Sequence, residues 1–177
     1  LLNGVNARSS GLSTIPPEHM HEATWFLQDA LMFIGGGSAS TAGGIKVSTF
    51  AVLLLAVAAE ARGDQDIEAF GRRITLPTVR LSVAVALIGS AVVGISTLLL
   101  LQLTDLSLDR ILFEVISAFA TVGLSTGITP ILPESGKYVI IVLMFVGRVG
   151  TMTAASALAM RERRRVIRMP AERPLIG

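Results

Sequence analysis

Thr121-Val122-Gly123-Leu124-Ser125-Thr126 follows an apolar stretch of only 11 residues, Arg110 to Ala120, and the reading of this pair decides the fold. A helix needs about 20 residues to span the hydrocarbon of a bilayer, so the stretch falls short. Before it stands Thr104-Asp105-Leu106-Ser107-Leu108-Asp109, whose Asp and Ser side chains are good helix N-caps. The arrangement predicts a re-entrant helix that stops near mid-membrane, with Thr121 to Ser125 carrying the chain back out. A helix C-terminus placed there presents the negative end of its dipole, and the next backbone can turn carbonyl oxygens toward a cation in place of its hydration shell. Gly123 opens backbone angles closed to other residues. A simple Gly/Thr/Ser turn closing a helical hairpin has the same local sequence.

A second copy in register favours the first reading. Gly11-Leu12-Ser13-Thr14 recurs as Gly123-Leu124-Ser125-Thr126, and Leu31-Met32-Phe33-Ile34-Gly35 recurs as Leu143-Met144-Phe145-Val146-Gly147, both at an offset of 112. Two motifs keeping one register mean two copies of a unit, each a glycine-centred loop followed by an apolar helix.

Composition places these units in lipid. Mean hydropathy is +0.67, and 51% of residues are apolar against 16% charged, well below the roughly 25% charged of a soluble domain. Leu81 to Leu103 runs 23 residues without a charge and Tyr138 to Met160 runs 23 with a single one, so both are expected to cross. Ten of the fifteen basic residues fall in two segments: Arg62, Arg72, Arg73 and Arg80, and then the tail from Arg161 to Arg173. Both are expected in the cytoplasm, which puts the loops at Gly11 and Gly123 toward the outer face. Without cysteine the chain has no disulfide and no thiolate-bound metal. It opens without a start methionine and inside a unit, so a longer protein is expected.

After the polar loop Asn6 to Pro17 a helix is expected to begin near Glu18 to Glu22, and Ala23 to Ala59 is then mostly apolar for 37 residues. As one helix this would be roughly 55 Å long, too long for one crossing. Its middle, Gly35-Gly36-Gly37-Ser38-Ala39-Ser40-Thr41-Ala42-Gly43-Gly44, carries five glycines in ten residues. Each interior glycine costs about 1 kcal/mol relative to alanine, so the helix is expected to break there. Broken backbone at membrane depth is tolerated where protein or water satisfies it, so the segment is expected to line a cavity. It is not a phosphate-binding loop, because Ile45 separates Gly44 from Lys46. Arg148, in the middle of Tyr138 to Met160, falls opposite Gly36 in the internal alignment. An intramembrane arginine faces a cavity or a partner and marks function. It is expected beside the glycine loop as a gating charge, with pairing to a carboxylate such as Glu114 as the plainer alternative.

His19 and His21 lack a ligand framework and fit an exposed turn; Asp64, Asp66 and Glu68 fit a solvated face. No Ser-His-Asp set or paired carboxylates stand at hydrolytic spacing, so no enzyme is expected.

Taken together, Thr121-Val122-Gly123, the run Gly35 to Lys46, and Met144-Phe145-Val146-Gly147-Arg148-Val149-Gly150 make nearly the whole chain resemble the Trk/Ktr family of potassium-translocating membrane subunits. The resemblance implies an all-α membrane protein of potassium-channel-like repeats: four units of helix, pore helix, filter loop and helix around one pore. This chain would hold the end of the third unit and all of the fourth. The resemblance further implies ion-binding filters at Ser9, Ser10, Gly11 and Leu12 and at Thr121, Val122, Gly123 and Leu124. It implies a gate of Gly35, Gly36, Gly37, Ser38, Ala39, Ser40 and Thr41 beneath them, together with Arg148. Ser9-Ser10-Gly11-Leu12-Ser13 stands where the family often has Thr-Ala-Gly-Phe-Asn, and Ala39 where glycine is common; neither change removes a backbone carbonyl.

The expected function is potassium uptake across the cytoplasmic membrane, with potassium as substrate, no cofactor and no other metal. The alternatives are a secondary transporter holding substrate at an unwound helix, or a membrane scaffold that transports nothing. Expected partners are lipid, the remaining units of the pore, a second copy in a homodimer and, by resemblance, a cytoplasmic nucleotide-binding ring, with no nucleic acid. The expected organisation is unit three over 1–63, a cytoplasmic connection over 64–75, unit four over 76–160 and a basic cytoplasmic tail over 161–177, in a multi-pass protein.

Overall fold

In the computed structural model, which describes residues 20–37, 43–64, 66–69 and 71–150, the apolar run from Ala23 is two helices. Helix α1 covers Glu22–Phe33 and α2 covers Val47–Arg62. Between them the chain closes a narrow neck: Gly35 N–H donates to the Ile45 carbonyl at 2.8 Å, Ile45 N–H to Phe33 at 3.2 Å, and Val47 N–H to Gly36 at 3.3 Å. These bonds satisfy backbone groups that the broken helix frees, as a low-dielectric setting requires. Glycine is needed at the neck, because a Cβ on Gly35 would overlap the Gly43 carbonyl. Gly63, at φ 74°, ends α2 with its N–H on the Ala59 and Glu60 carbonyls.

A departure from an all-helical fold follows. Ile67–Ala69 (β1) and Arg72–Ile74 (β2) pair antiparallel, Ile67 opposite Ile74 and Glu68 opposite Arg73. The alternation of Ile67 and Ala69 with Glu68, and Gly71 at φ 72°, suit a hairpin. The exposed ion pair of Arg73 with Asp66, at 2.7 Å, adds little.

Helix α3, Leu76–Leu103, starts earlier than the uncharged run because Pro77 and Arg80 fit its first turns. At 1.5 Å per residue its 28 residues make roughly 42 Å, enough to cross a bilayer. Among the described residues it is the one helix long and apolar enough to do so. Its packing is inside-out: Ser82, Gly89, Val93, Ser96 and Leu100 form the buried stripe, while Leu87, Ile95, Leu98 and Leu103 are exposed. Ser82, Gly89 and Ser96 bring small residues to the helix-facing stripe beside Val93 and Leu100, while most large apolar residues face outward, the pattern that lipid selects.

Helix α4, Leu108–Phe119, is the centre of the structure, packed against α1, α3 and α5. Ile111, Phe113, Val115 and Phe119 are fully or almost fully buried, and their rings meet Trp25 (Phe113, centroids 6.3 Å) and Phe33 (Phe119, 6.4 Å). Helix α5 covers Glu134–Phe145 and passes into a π-helical turn at Val146–Gly150; the rest of the expected crossing, 151–160, lies outside the described residues. The two ends of α5 stand 112 positions after the two ends of α1. Helices of equal length thus occupy equivalent places, and each loses α-helical form directly afterward, one at the glycine neck and one at the π turn carrying Arg148.

Candidate functional site

The C-terminal end of α4 delivers the chain into the Thr121 to Thr129 segment. Thr121 takes φ 54°, Gly123 φ 88° and Gly127 φ 79°. Three left-handed residues within seven positions fold the backbone tightly. Val122 N–H donates to the Ser117 carbonyl at 3.0 Å, and the Ser117 hydroxyl donates to the Leu124 carbonyl at 2.5 Å. The side chains of Val122 and Leu124 point into the core while Gly123 between them is exposed. The carbonyls of Thr121, Val122 and Gly123 accept none of the backbone hydrogen bonds of the described residues. Leu124 differs from its three neighbours, since its carbonyl is taken by Ser117.

The segment is fixed from below, from behind and beyond the bend. Gly43 N–H donates to the Thr121 hydroxyl at 3.0 Å, so the second end of the glycine loop sits against the first residue of the bend. Gly147 is buried on the Phe119 backbone, where a Cβ would overlap the carbonyl. Beyond the bend, the carboxylate of Glu114 accepts hydrogen bonds from the Ser125 hydroxyl, at 3.0 Å to each oxygen, from Thr126 N–H at 3.3 Å and from the Thr129 hydroxyl.

A cavity of about 490 Å³ collects these parts: Glu114, Ser117, Thr121, Gly123, Leu124 and Arg148 are on its wall. Arg148 therefore shares a space with the candidate filter. It makes no ion pair with Glu114, because the carboxylate is held by the loop hydroxyls instead. Gly35, Gly36 and Gly37 form the first side of the glycine neck. Ser9, Ser10, Gly11, Leu12, Ser38, Ala39, Ser40 and Thr41 lie outside the described residues.

Sequence reasoning missed the part played by Glu114. The available signal was a carboxylate inside the stretch Arg110 to Ala120, followed by hydroxyls at Ser125, Thr126 and Thr129 that could satisfy it.

The tight contact under Thr121 has a measurable cost. A Cβ on Gly43 would stand 2.9 Å from the Phe119 carbonyl oxygen and 2.9 Å from Thr121 Cγ2. Gly43→Ala is expected to destabilise the whole protein by about 1–3 kcal/mol through overpacking, read as a lower unfolding temperature. Gly37→Ala, with open space around the added carbon, serves as its control and is expected to leave that temperature unchanged.

Residues 1–166 match the TrkH family, described as a cation transport protein. The chain is 40% identical over 173 residues to the Ktr system potassium uptake protein B of Vibrio alginolyticus, covering 98% of this chain and 38% of that protein. It is 39% identical to the Ktr system potassium uptake protein D of Bacillus subtilis, covering 100% of this chain and 39% of that one. It is 40% identical to the potassium/sodium uptake protein NtpJ of Enterococcus hirae, covering 90% and 36%. The chain thus spans about two-fifths of the length of the curated relatives it matches. The family is one of membrane transporters, and this chain belongs to it: it is a member of the TrkH family of cation transport proteins.

Proposed function

We propose that this chain forms part of a potassium uptake pore, with the carbonyls of Thr121, Val122 and Gly123 as one wall of its selectivity filter. The observation that carries the reading is the alternation at the bend: Val122 and Leu124 buried, Gly123 exposed between them, and three successive carbonyls that take no backbone donor among the described residues. Such a row can replace the water around a dehydrated cation, and the negative end of α4 points to the same place. Its relatives named for potassium uptake, and for potassium and sodium uptake, support potassium or a similar monovalent cation as cargo. Ser9, Ser10, Gly11 and Leu12 would supply a second wall through the repeat.

The gate in this proposal is the glycine segment from Gly35 to Gly44, with Arg148 beside it. Support comes from the Gly43–Thr121 hydrogen bond, which puts one end of the segment under the bend, and from the cavity shared by Arg148 and Gly123. A fixed guanidinium there opposes cation passage while the gate is shut. The remaining units, a second copy and a cytoplasmic regulatory ring complete the proposed assembly; the relatives' names as system components support partner subunits.

Arg148→Gln in the whole protein, reconstituted in liposomes, is expected to raise resting potassium flux several-fold. Unchanged resting flux and unchanged gating reject the gating role of this residue.

A further inference from the structure

Helix α4 carries one buried carboxylate, Glu114, only 6% exposed and flanked by Phe113 and Val115. A charge in such surroundings needs strong donors. All those it finds belong to one short segment of the chain: Ser125, Thr126 and Thr129. Arg148, a basic side chain on the same cavity wall, is not among them. Ser117, three residues after Glu114 and thus on the same face of α4, holds the Leu124 carbonyl. The exit side of the bend is therefore tied to the pore-helix candidate at two levels, both through residues that follow Gly123 in the chain.

We propose that Glu114 is a positioning residue for ion selection, which holds the Ser125 to Thr129 segment so that Leu124 turns inward and the carbonyls of Thr121 to Gly123 stay directed outward. This deepens the filter reading above and rests on it. Glu114 touches no ion in this proposal; it acts through the loop. How well a carbonyl ring separates cations of different radius depends on how firmly the ring is held. Replacing the carboxylate by an amide should loosen it, because one of the two acceptor oxygens becomes a donor NH₂ and the remaining bonds from Ser125, Thr126 and Thr129 lose their charge assistance. The loop's side of the clamp can be varied without touching α4: Thr129→Ser keeps the hydroxyl, and Thr129→Val removes it.

The test uses the whole protein in liposomes, measuring rubidium and sodium flux, the KM and maximal rate for potassium, and the amount of protein inserted. Four variants are compared: Glu114→Gln, Thr129→Val, Thr129→Ser and Gly123→Ser. Loss of a charge-assisted bond corresponds to about a tenfold change. Glu114→Gln is expected to lower potassium-over-sodium selectivity by about that factor and to raise KM more than it lowers the maximal rate. Thr129→Val is expected to shift selectivity in the same direction, with Thr129→Ser close to the parent protein.

If Gly123→Ser loses selectivity while Glu114→Gln and Thr129→Val keep it, the positioning role is wrong and the filter reading stands. If Gly123→Ser also keeps it, the filter reading falls as well. Should Glu114→Gln fail to insert, the Thr129 pair decides: different selectivities support the clamp, and equal ones overturn it.

Discussion

Replacing Gly123 with Ser in the whole protein is expected to lower potassium-over-sodium discrimination by at least about tenfold, with protein still reaching the membrane. The residue adopts φ 88°, where an L side chain is strained. A left-handed conformation costs a non-glycine residue about 1–2 kcal/mol, and about 1.4 kcal/mol is one decade in an equilibrium constant. The strain has somewhere to go. Val122 and Leu124 are anchored in the core and Leu124 is also held by Ser117, so relaxation falls on the exposed peptide at Gly123 and turns its carbonyl. Gly123 is exposed, so the added hydroxymethyl group is not forced into the core and insertion should survive. Competition between sodium and rubidium in a flux assay reads the change directly. Parental discrimination in this variant would remove the bend from the ion path.

Gly147→Val is expected to abolish uptake by a different route, through packing. A Cβ on Gly147 would overlap the Phe119 carbonyl oxygen and approach the Phe119 carbonyl carbon within 2.7 Å and its Cα within 2.9 Å. These are backbone atoms at the C-terminal end of α4, and they cannot swing aside as a side chain can. Either α4 or the π turn must move, and the cost of overpacking, about 1–3 kcal/mol, sets a lower limit for a branched side chain. The bend begins two residues after Phe119, so displacement there moves Thr121 as well as the Gly43 contact. Uptake by potassium-requiring cells and the unfolding temperature of purified protein should fall together. Normal values for both would mean that the close approach of the π turn to α4 is not needed.

Much of this structure is legible in the chain because the repeat carries its own ruler. The offset of 112 that aligns Gly11 with Gly123 also relates both ends of α1 to both ends of α5. The length of the stretch before Thr121 identified a helix too short to cross, and the glycines after Ile34 marked where the long apolar run divides. Helix ends were read less well: α4 begins at Leu108 rather than Arg110, because Ser107 takes the N-cap position and Leu108 and Asp109 start the first turn. The hairpin around Gly71 escaped notice, since two three-residue strands in a charged connection leave only a brief alternation. The π turn at Val146–Gly150 has no signal in hydropathy, which is the same for α and π backbone. Glu114 was hardest to place. Its partners lie 11 to 15 residues further along, across a bend, and no helical or strand period links them. Leu124 shows a related limit: a motif can name a residue as part of a filter, but which carbonyl is already bonded is a property of the folded loop.

The most direct test of the account is the position of bound cations in crystals of the whole protein grown with rubidium, located by anomalous scattering. The expected result is density at coordination distance from the carbonyl oxygens of Thr121, Val122 and Gly123, displaced when rubidium is replaced by sodium. Ions bound elsewhere along the pore, with those three carbonyls bonded to protein and facing away, would contradict it.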